Sequence, residues 1–135
     1  MSEGNVEVVQ RSWKAWGRRD VASALALFAE NIEWDMTHFE RWPEHQHYRG
    51  IEEVRRFLTE WLGAWDDYEA GLERAFPAGE NTVVAFCWQR GRGIASGIEA
   101  EQSWAQVLTL SEGLIVRTEN FSSREQALRE AGLEP

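Results

Sequence analysis

The chain has 135 residues, 43% hydrophobic and 27% charged, so we expect a single domain spanning residues 1–135. Its 23 acidic against 14 basic residues give a net charge of −9, which argues against nucleic acid or an anionic membrane surface as a partner. The single cysteine, Cys87, cannot form an internal disulfide, and no apolar run is long enough to cross a membrane, so a soluble cytoplasmic protein is expected.

The N-terminal region predicts a helical hairpin. Apolar residues recur at helical spacing from Val6 to Trp16. Asp20 is placed to cap a second short helix, which reaches Phe28. Residues 31–36 then alternate apolar and acidic side chains, and this pattern predicts a strand on which Trp34 faces inward.

An irregular loop is predicted over residues 37–50, because the segment has no consistent period and contains proline and glycine. All three histidines lie in it, so it is a candidate functional loop. Residues 51–65 follow with a broad apolar stripe opposite charged side chains, which predicts a helix packed on a sheet.

The remainder of the chain predicts an antiparallel meander of four strands, over residues 68–76, 81–90, 98–110 and 114–121. Both alternating faces of the second of these strands are apolar, so we expect the sheet to be covered on both sides. Helices on one face and a second subunit on the other would provide this cover, which predicts a homodimer through the sheet. A final short helix over residues 124–131 is expected, with Ser122 as its cap and Glu125 completing a capping box.

The chain resembles the nuclear-transport-factor-2-like superfamily, and within it the SnoaL-like branch. The resemblance rests on segments along nearly the whole chain: Asn5-Val6-Glu7-Val8-Val9, Ile32-Glu33-Trp34, Tyr48-Arg49-Gly50, Gly91-Arg92-Gly93 and Gly113-Leu114-Ile115-Val116-Arg117. It implies an α+β cone, in which a curved, antiparallel-rich sheet wraps around a long helix behind an N-terminal helical hairpin.

The resemblance leaves the chemistry open, because the superfamily includes isomerases, polyketide cyclases, hydrolases and members that bind without catalysis. Ketosteroid isomerases carry an aspartate base directly after a strand-one Val-Glu and a tyrosine in the first helix. The matching positions here hold Trp34 and Ser12, which cannot do this work. The resemblance therefore favours binding over isomerase chemistry.

Three residues are candidates for catalysis. His38 is a candidate acid or base because an imidazole titrates near neutral pH, and Tyr48 could donate a hydrogen bond inside an aromatic pocket. Asp35 lies one residue past the position of the isomerase base, so it faces the other side of the strand unless a bulge intervenes. His38, Asp35, His45 and His47 also suggest a divalent metal, but their spacing fits no established site, so neither a metal nor a cofactor is expected.

Candidate substrate contacts are aromatic and amide side chains of the sheet and the third helix: Trp34, Trp104, Gln106, Asn120, Phe86, Trp88 and Trp61. The helical tryptophans Trp13, Trp16, Trp61 and Trp65 are expected mainly in the core. We therefore expect an aromatic-lined pocket for a small apolar or aromatic molecule, with isomerase, cyclase or hydrolase activity left open. The alternative is a non-catalytic ligand-binding or dimerisation module.

Overall fold

A computed structural model describes residues 2–39 and 47–133 of the chain. The described elements are, in chain order, α1 (Ser2–Gly17), α2 (Val21–Leu25), β1 (Phe28–His38), β2 (His47–Arg49), α3 (Ile51–Gly63), β3 (Trp65–Pro77), β4 (Thr82–Gly93), β5 (Glu99–Ser111), β6 (Leu114–Phe121) and α4 (Arg124–Glu130). This order confirms the predicted one, apart from the short strand β2, which lies where a loop was expected.

The six strands form one mixed sheet in the order β2-β1-β6-β5-β4-β3. Strands β3 to β6 make the predicted antiparallel meander. Strand β1 joins its end by pairing in parallel with β6, and β2 pairs antiparallel with the other side of β1. Together with the helices α1, α2 and α3, the sheet confirms the expected α+β cone.

The hairpin between β5 and β6 shows how local sequence sets the register of the meander. Glu112 and Gly113 form its two-residue turn, and both have positive φ, at 51° and 79°. Turns of this kind match the right-handed twist of the paired strands and favour glycine. Ser111 therefore pairs directly with Leu114, as the predicted turn requires.

The main core lies between the helices and the concave face of the sheet. Val9 of α1 and Val54 of α3 are fully buried against it. The α3 stripe packs as predicted, with Val54, Phe57 and Leu58 buried. Cys87 of β4 is fully buried in the same core, and this burial raises the pKa of its thiol well above the usual value.

A second, smaller core lies on the opposite, convex face of the sheet under α4. Val84, Ala105, Val107, Phe121 and Ala127 form it. Cover from α4 explains why both faces of β4 are apolar, so this pattern does not require a second subunit.

Two helix caps test the predicted starts of the short helices. Asp20 caps α2 as predicted, because its carboxylate accepts a hydrogen bond from the Ser23 amide. The predicted start of α4 at Arg124 is confirmed, but the predicted cap is wrong by one residue: Ser123, not Ser122, accepts from the Gln126 amide.

Two aromatic residues were assigned to the wrong elements. Phe28 and Trp65 continue the apolar stripes of α2 and α3, but they begin β1 and β3. A side chain three residues beyond the last helical contact, Leu25 or Leu62, can reach the same core from a strand, so the stripe alone does not fix the helix end. Among the described residues, no helix is long and apolar enough to cross a membrane.

Candidate ligand pocket

A pocket opens between α1, α2, α3 and the concave face of the sheet. The cavity has a volume of about 70 Å³. The lining residues, here named the aromatic pocket, are Val9, Ser12, Trp13, Trp16, Ala24, Phe28, Trp34, Met36, Phe39, Phe57, Leu58, Trp61, Tyr68, Gln89, Trp104, Gln106, Leu108, Ile115, Thr118 and Asn120.

One chain of hydrogen bonds joins the pocket wall across β5 and β6. The Asn120 amide oxygen accepts from Trp104 Nε1 at 3.1 Å and from Gln106 Nε2 at 3.0 Å. Gln106 Oε1 in turn accepts from Trp13 Nε1 at 3.0 Å, and Asn120 Nδ2 donates to the Asp35 carbonyl. These bonds hold two indole rings of the wall in fixed orientations.

A second chain of hydrogen bonds fixes aromatic side chains at the other end of the pocket. Gln89 Oε1 accepts from Tyr68 Oη at 2.8 Å and from Trp61 Nε1 at 3.1 Å, and Gln89 Nε2 donates to Gln102. Tyr68 Oη also accepts from Trp16 Nε1 at 3.2 Å. The polar groups of this end are thus committed to one another.

Tyr68 is the only ionisable side chain among the described residues that line the pocket. Burial raises the pKa of its phenol, against the smaller lowering effect of the hydrogen bonds from Trp16 and Trp61. Tyr68 is therefore neutral at physiological pH, and this part of the wall offers hydrogen bonds and apolar surface without charge.

Two lining side chains stand apart from both chains of hydrogen bonds. Trp34 Nε1 and Thr118 Oγ1 are buried and have no hydrogen-bond partner among the described residues. Trp34 and Thr118 are direct neighbours across the parallel pair β1–β6.

Five of the seven predicted substrate contacts line the pocket: Trp34, Trp61, Trp104, Gln106 and Asn120. Phe86 and Trp88 do not, and their placement is corrected. Along β4 they alternate with Cys87 and Gln89, which face the core and the pocket, so they lie on the convex face. Trp88 packs there over Gly71, where a Cβ atom would come within 3.2 Å of the indole ring.

The helical tryptophans belong to the core as expected, because Trp16 is a core residue and Trp13, Trp61 and Trp65 pack against it. Trp13, Trp16 and Trp61 also line the pocket. The Trp13 ring lies 5.7 Å from that of Trp104, measured between centroids. Helical periodicity identifies the inward face of a helix, but it does not show whether packed side chains or a cavity lie beyond it.

Asp35, a candidate catalytic residue, lies outside the pocket. It occupies the convex face, where Arg117 Nη2 approaches its carboxylate at 3.2 Å and Thr37 donates two hydrogen bonds. Burial raises the pKa of Asp35, but the Thr37 hydrogen bonds and the nearby His47 and Arg117 outweigh it and lower the pKa overall. Asp35 therefore faces away from Trp34, as alternation along β1 predicts, although its carboxylate is buried and ion-paired.

His38 and Tyr48 also lie outside the pocket lining. A register irregularity between Asp35 and His38 turns His38 to the convex face, where it stacks on Phe121 at 4.8 Å. Tyr48 stacks on Phe57, at 4.2 Å between ring centroids. The structure thus does not bring the three candidate catalytic residues together.

An ion-pair cluster surrounds Arg117 on the convex face. Its guanidinium contacts Glu33 at 3.1 Å, Asp35 at 3.2 Å and Glu119 at 3.5 Å. His47 lies 3.7 Å from Glu33 in the same cluster. His45, which the metal hypothesis also needs, lies outside the described residues, and within those residues no group of ligands could hold a metal ion.

Sequence reasoning did not predict five polar or small residues as part of the pocket wall: Ser12, Ala24, Tyr68, Gln89 and Thr118. Gln89 had a usable signal, because it follows Val83, Ala85 and Cys87 on an otherwise apolar inward face. A buried amide on such a face needs polar partners, which points to a hydrogen-bonded wall.

The fold and the pocket define a class of small α+β domain, in which a curved sheet and three helices enclose an apolar cavity. The chain belongs to the SnoaL-like domain family, whose model matches residues 9–118. A search of curated protein sequences finds no match.

Solved structures share the fold at low sequence identity. TerC, crystallised with polyporic acid, is similar with a TM-score of 0.75 and 17% identity, over 95% of this chain and 97% of TerC. An NTF2-like protein of unknown function from Burkholderia pseudomallei gives 0.76 and 20%, over 96% and 97%. A Mycobacterium tuberculosis protein in complex with estradiol-17β-hemisuccinate gives 0.73 and 18%, over 90% and 94%.

Proposed function

We propose that this SnoaL-like domain binds a small, flat, uncharged and largely apolar molecule in the aromatic pocket. The observation that carries the proposal is the composition of the pocket wall. Buried amides hold its aromatic rings in place, and none of its described lining residues has a charged side chain. Burying a charged ligand against such a wall would be costly, because no counter-ion compensates for the lost hydration. An apolar ring gains from the same wall by leaving water.

Two solved structures of the same fold hold ring compounds, polyporic acid in one and estradiol-17β-hemisuccinate in the other, which supports a ring system as the ligand. Catalysis remains a separate hypothesis. His38, Asp35 and Tyr48 remain candidates for it, but binding accounts for the lining residues without them. An isomerase, cyclase or hydrolase reaction would need an acid or base that the described wall supplies only as the neutral Tyr68.

The test is titration of the protein with naphthalene and with naphthalenesulfonate, followed by tryptophan fluorescence. We expect naphthalene to change the emission saturably and the anion to have little effect. Ala24→Leu, which fills the pocket from α2, should weaken naphthalene binding at least tenfold. Ala22→Leu is the matched control, because Ala22 is exposed on the same helix. Absence of saturable binding by any uncharged ring compound would contradict the proposal.

We further propose a single domain over residues 1–135, a homodimer and a cytoplasmic location. Both core clusters pack on one sheet, which supports the single domain. Exposed Ile94 and Ile98, at 57% and 67%, offer apolar surface for a dimer. The single cysteine agrees with a reducing compartment.

A further inference from the structure

Two orphan polar groups in the aromatic pocket carry an inference about the chemistry of the ligand. Trp34 Nε1 and Thr118 Oγ1 are both buried and lack a partner among the described residues, although every other indole of the lining donates a hydrogen bond. An unmet buried donor is costly and uncommon in native proteins. Its persistence at a pocket wall indicates a partner that arrives with the ligand.

The two groups belong to neighbouring positions of the pocket wall. Trp34 and Thr118 are paired across β1–β6, and neighbouring strands lie about 4.8 Å apart. An indole N–H can only donate, whereas a hydroxyl can donate or accept. A carbonyl oxygen has two lone pairs, so it can accept from both groups at once.

We propose that Trp34 and Thr118 form a polar subsite that binds the carbonyl oxygen of a flat ring ketone. The inference rests on the proposed function, because the ring must first enter the aromatic pocket. A carboxylate fits this subsite less well, since no cation lies among the described lining residues to replace its hydration. The subsite makes Trp34 and Thr118 specificity-determining residues, while the amides of the two hydrogen-bond chains hold the wall.

The matched ligands for the test are indane and 1-indanone, which differ by one carbonyl group. Their affinities are measured by calorimetry for the wild type and for Thr118→Val, which keeps the side-chain shape and removes the hydroxyl. The quantity compared is the ratio of the two affinities, because the two ligands differ in hydration before they bind. We expect Thr118→Val to shift this ratio about tenfold towards indane.

Two further variants make the result specific. Thr118→Ser restores the hydroxyl and should restore the wild-type ratio. Thr109→Val removes a threonine hydroxyl of β5 that lies outside the pocket lining and should leave the ratio unchanged. Removal of an unpaired hydroxyl should also raise the Tm of the ligand-free protein, so a lower Tm for Thr118→Val would show that Oγ1 has a partner and overturn the proposal.

The indole resonances give an independent readout. With 15N-labelled protein, 1-indanone should move the Trp34 N–H proton downfield and indane should not, with the peak assigned from Trp34→Phe. Trp65 Nε1 is the internal control, because it is also buried without a partner among the described residues but lies outside the lining. If both ligands bind and Thr118→Val does not change the ratio of their affinities, the proposed subsite is refuted, while ligand binding in the aromatic pocket is supported. If neither ligand binds, the proposed function fails and the subsite fails with it.

Discussion

Single buried amides organise the pocket. The Asn120 and Gln89 side-chain oxygens each accept two hydrogen bonds from pocket groups, which uses both lone pairs. Neither oxygen is left to bind a ligand directly. Their role is to orient rings, and a substitution there should act first on stability and through it on binding.

Asn120→Leu should destabilise the protein strongly. It leaves Trp104 Nε1, Gln106 Nε2 and the Asp35 carbonyl without their partner in a buried site. Each loss costs about 1–3 kcal/mol, and the losses are not additive, so we expect a fall of about 2–4 kcal/mol in the free energy of unfolding. Urea denaturation measures it. Gln102→Leu, at the end of the hydrogen-bond chain of Gln89, should lower the free energy of unfolding by less. An equal loss for both variants would contradict this account.

Asp35 should make stability depend on pH in the acid range. Its pKa in the folded protein lies below the ordinary value of 3.8, so the folded state favours the carboxylate. The stability that Asp35 contributes is fully present at pH values above its pKa in the unfolded chain. It is lost as the pH falls through its pKa in the folded protein. Asp35→Asn should lower stability at pH 7 by about 1–3 kcal/mol and flatten the acid decline.

Urea denaturation of Asp35→Asn at several pH values between 2 and 7 provides the measurement. Asp66→Asn, which changes an exposed carboxyl group of β3, is the control and should behave like the wild type. Unchanged binding of naphthalene by Asp35→Asn is also expected, because Asp35 lies on the other face of the sheet. Lost binding at full stability would place Asp35 in the site after all.

At the scale of elements, α4 depends on its cap. Ser123 satisfies the Gln126 amide at the start of a helix of seven residues, which has few other sources of stability. Ser123→Ala should therefore lower the free energy of unfolding by about 1 kcal/mol, and Ser123→Asp should retain most of it. Thermal unfolding of the three proteins measures the effect. Equal Tm values would show that the cap does not support the helix.

Sequence reasoning predicted the elements well where turn chemistry and alternation agree. The limits of β6, Leu114–Phe121, match the prediction because Gly113 fixes its start and the side chains alternate regularly. Prediction failed at the end of β1, where a loop was expected from residue 37 but the strand continues to His38 across an irregularity in the ladder. Such an irregularity depends on the strand that pairs with β1, and no local pattern encodes it.

The candidate site was predicted only where alternation along a strand distinguishes its two faces. Alternation along β5 and β6 correctly placed Trp104, Gln106 and Asn120 on one inward face. It could not choose between the two faces of β4, because both are apolar, and so Phe86 and Trp88 were assigned to the wrong one. Only the position of α4 decides this, and that is a property of the assembled chain.

At the scale of the whole molecule, less surface is left for the predicted homodimer than the sequence suggests. Because α4 covers part of the convex face, the interface would have to use surface outside it, such as Ile94 and Ile98. The net charge of −9 opposes self-association, so salt should strengthen a dimer by screening this repulsion. Sedimentation at micromolar concentration in low and high salt tests this prediction, and a monomer in both would contradict it.

The parallel pairing of β1 with β6 has a consequence for the order of folding. Glu33 and Arg117 meet across this seam although they lie 84 residues apart in the chain. Closing so long a loop is entropically expensive, so the seam is expected to form late and after the local hairpins of the meander. The neighbouring pair of Trp34 and Thr118 is completed by the same event. A chain still emerging from the ribosome would therefore have no ligand subsite until its last strand is free to pair, which makes ligand binding a report on completed folding.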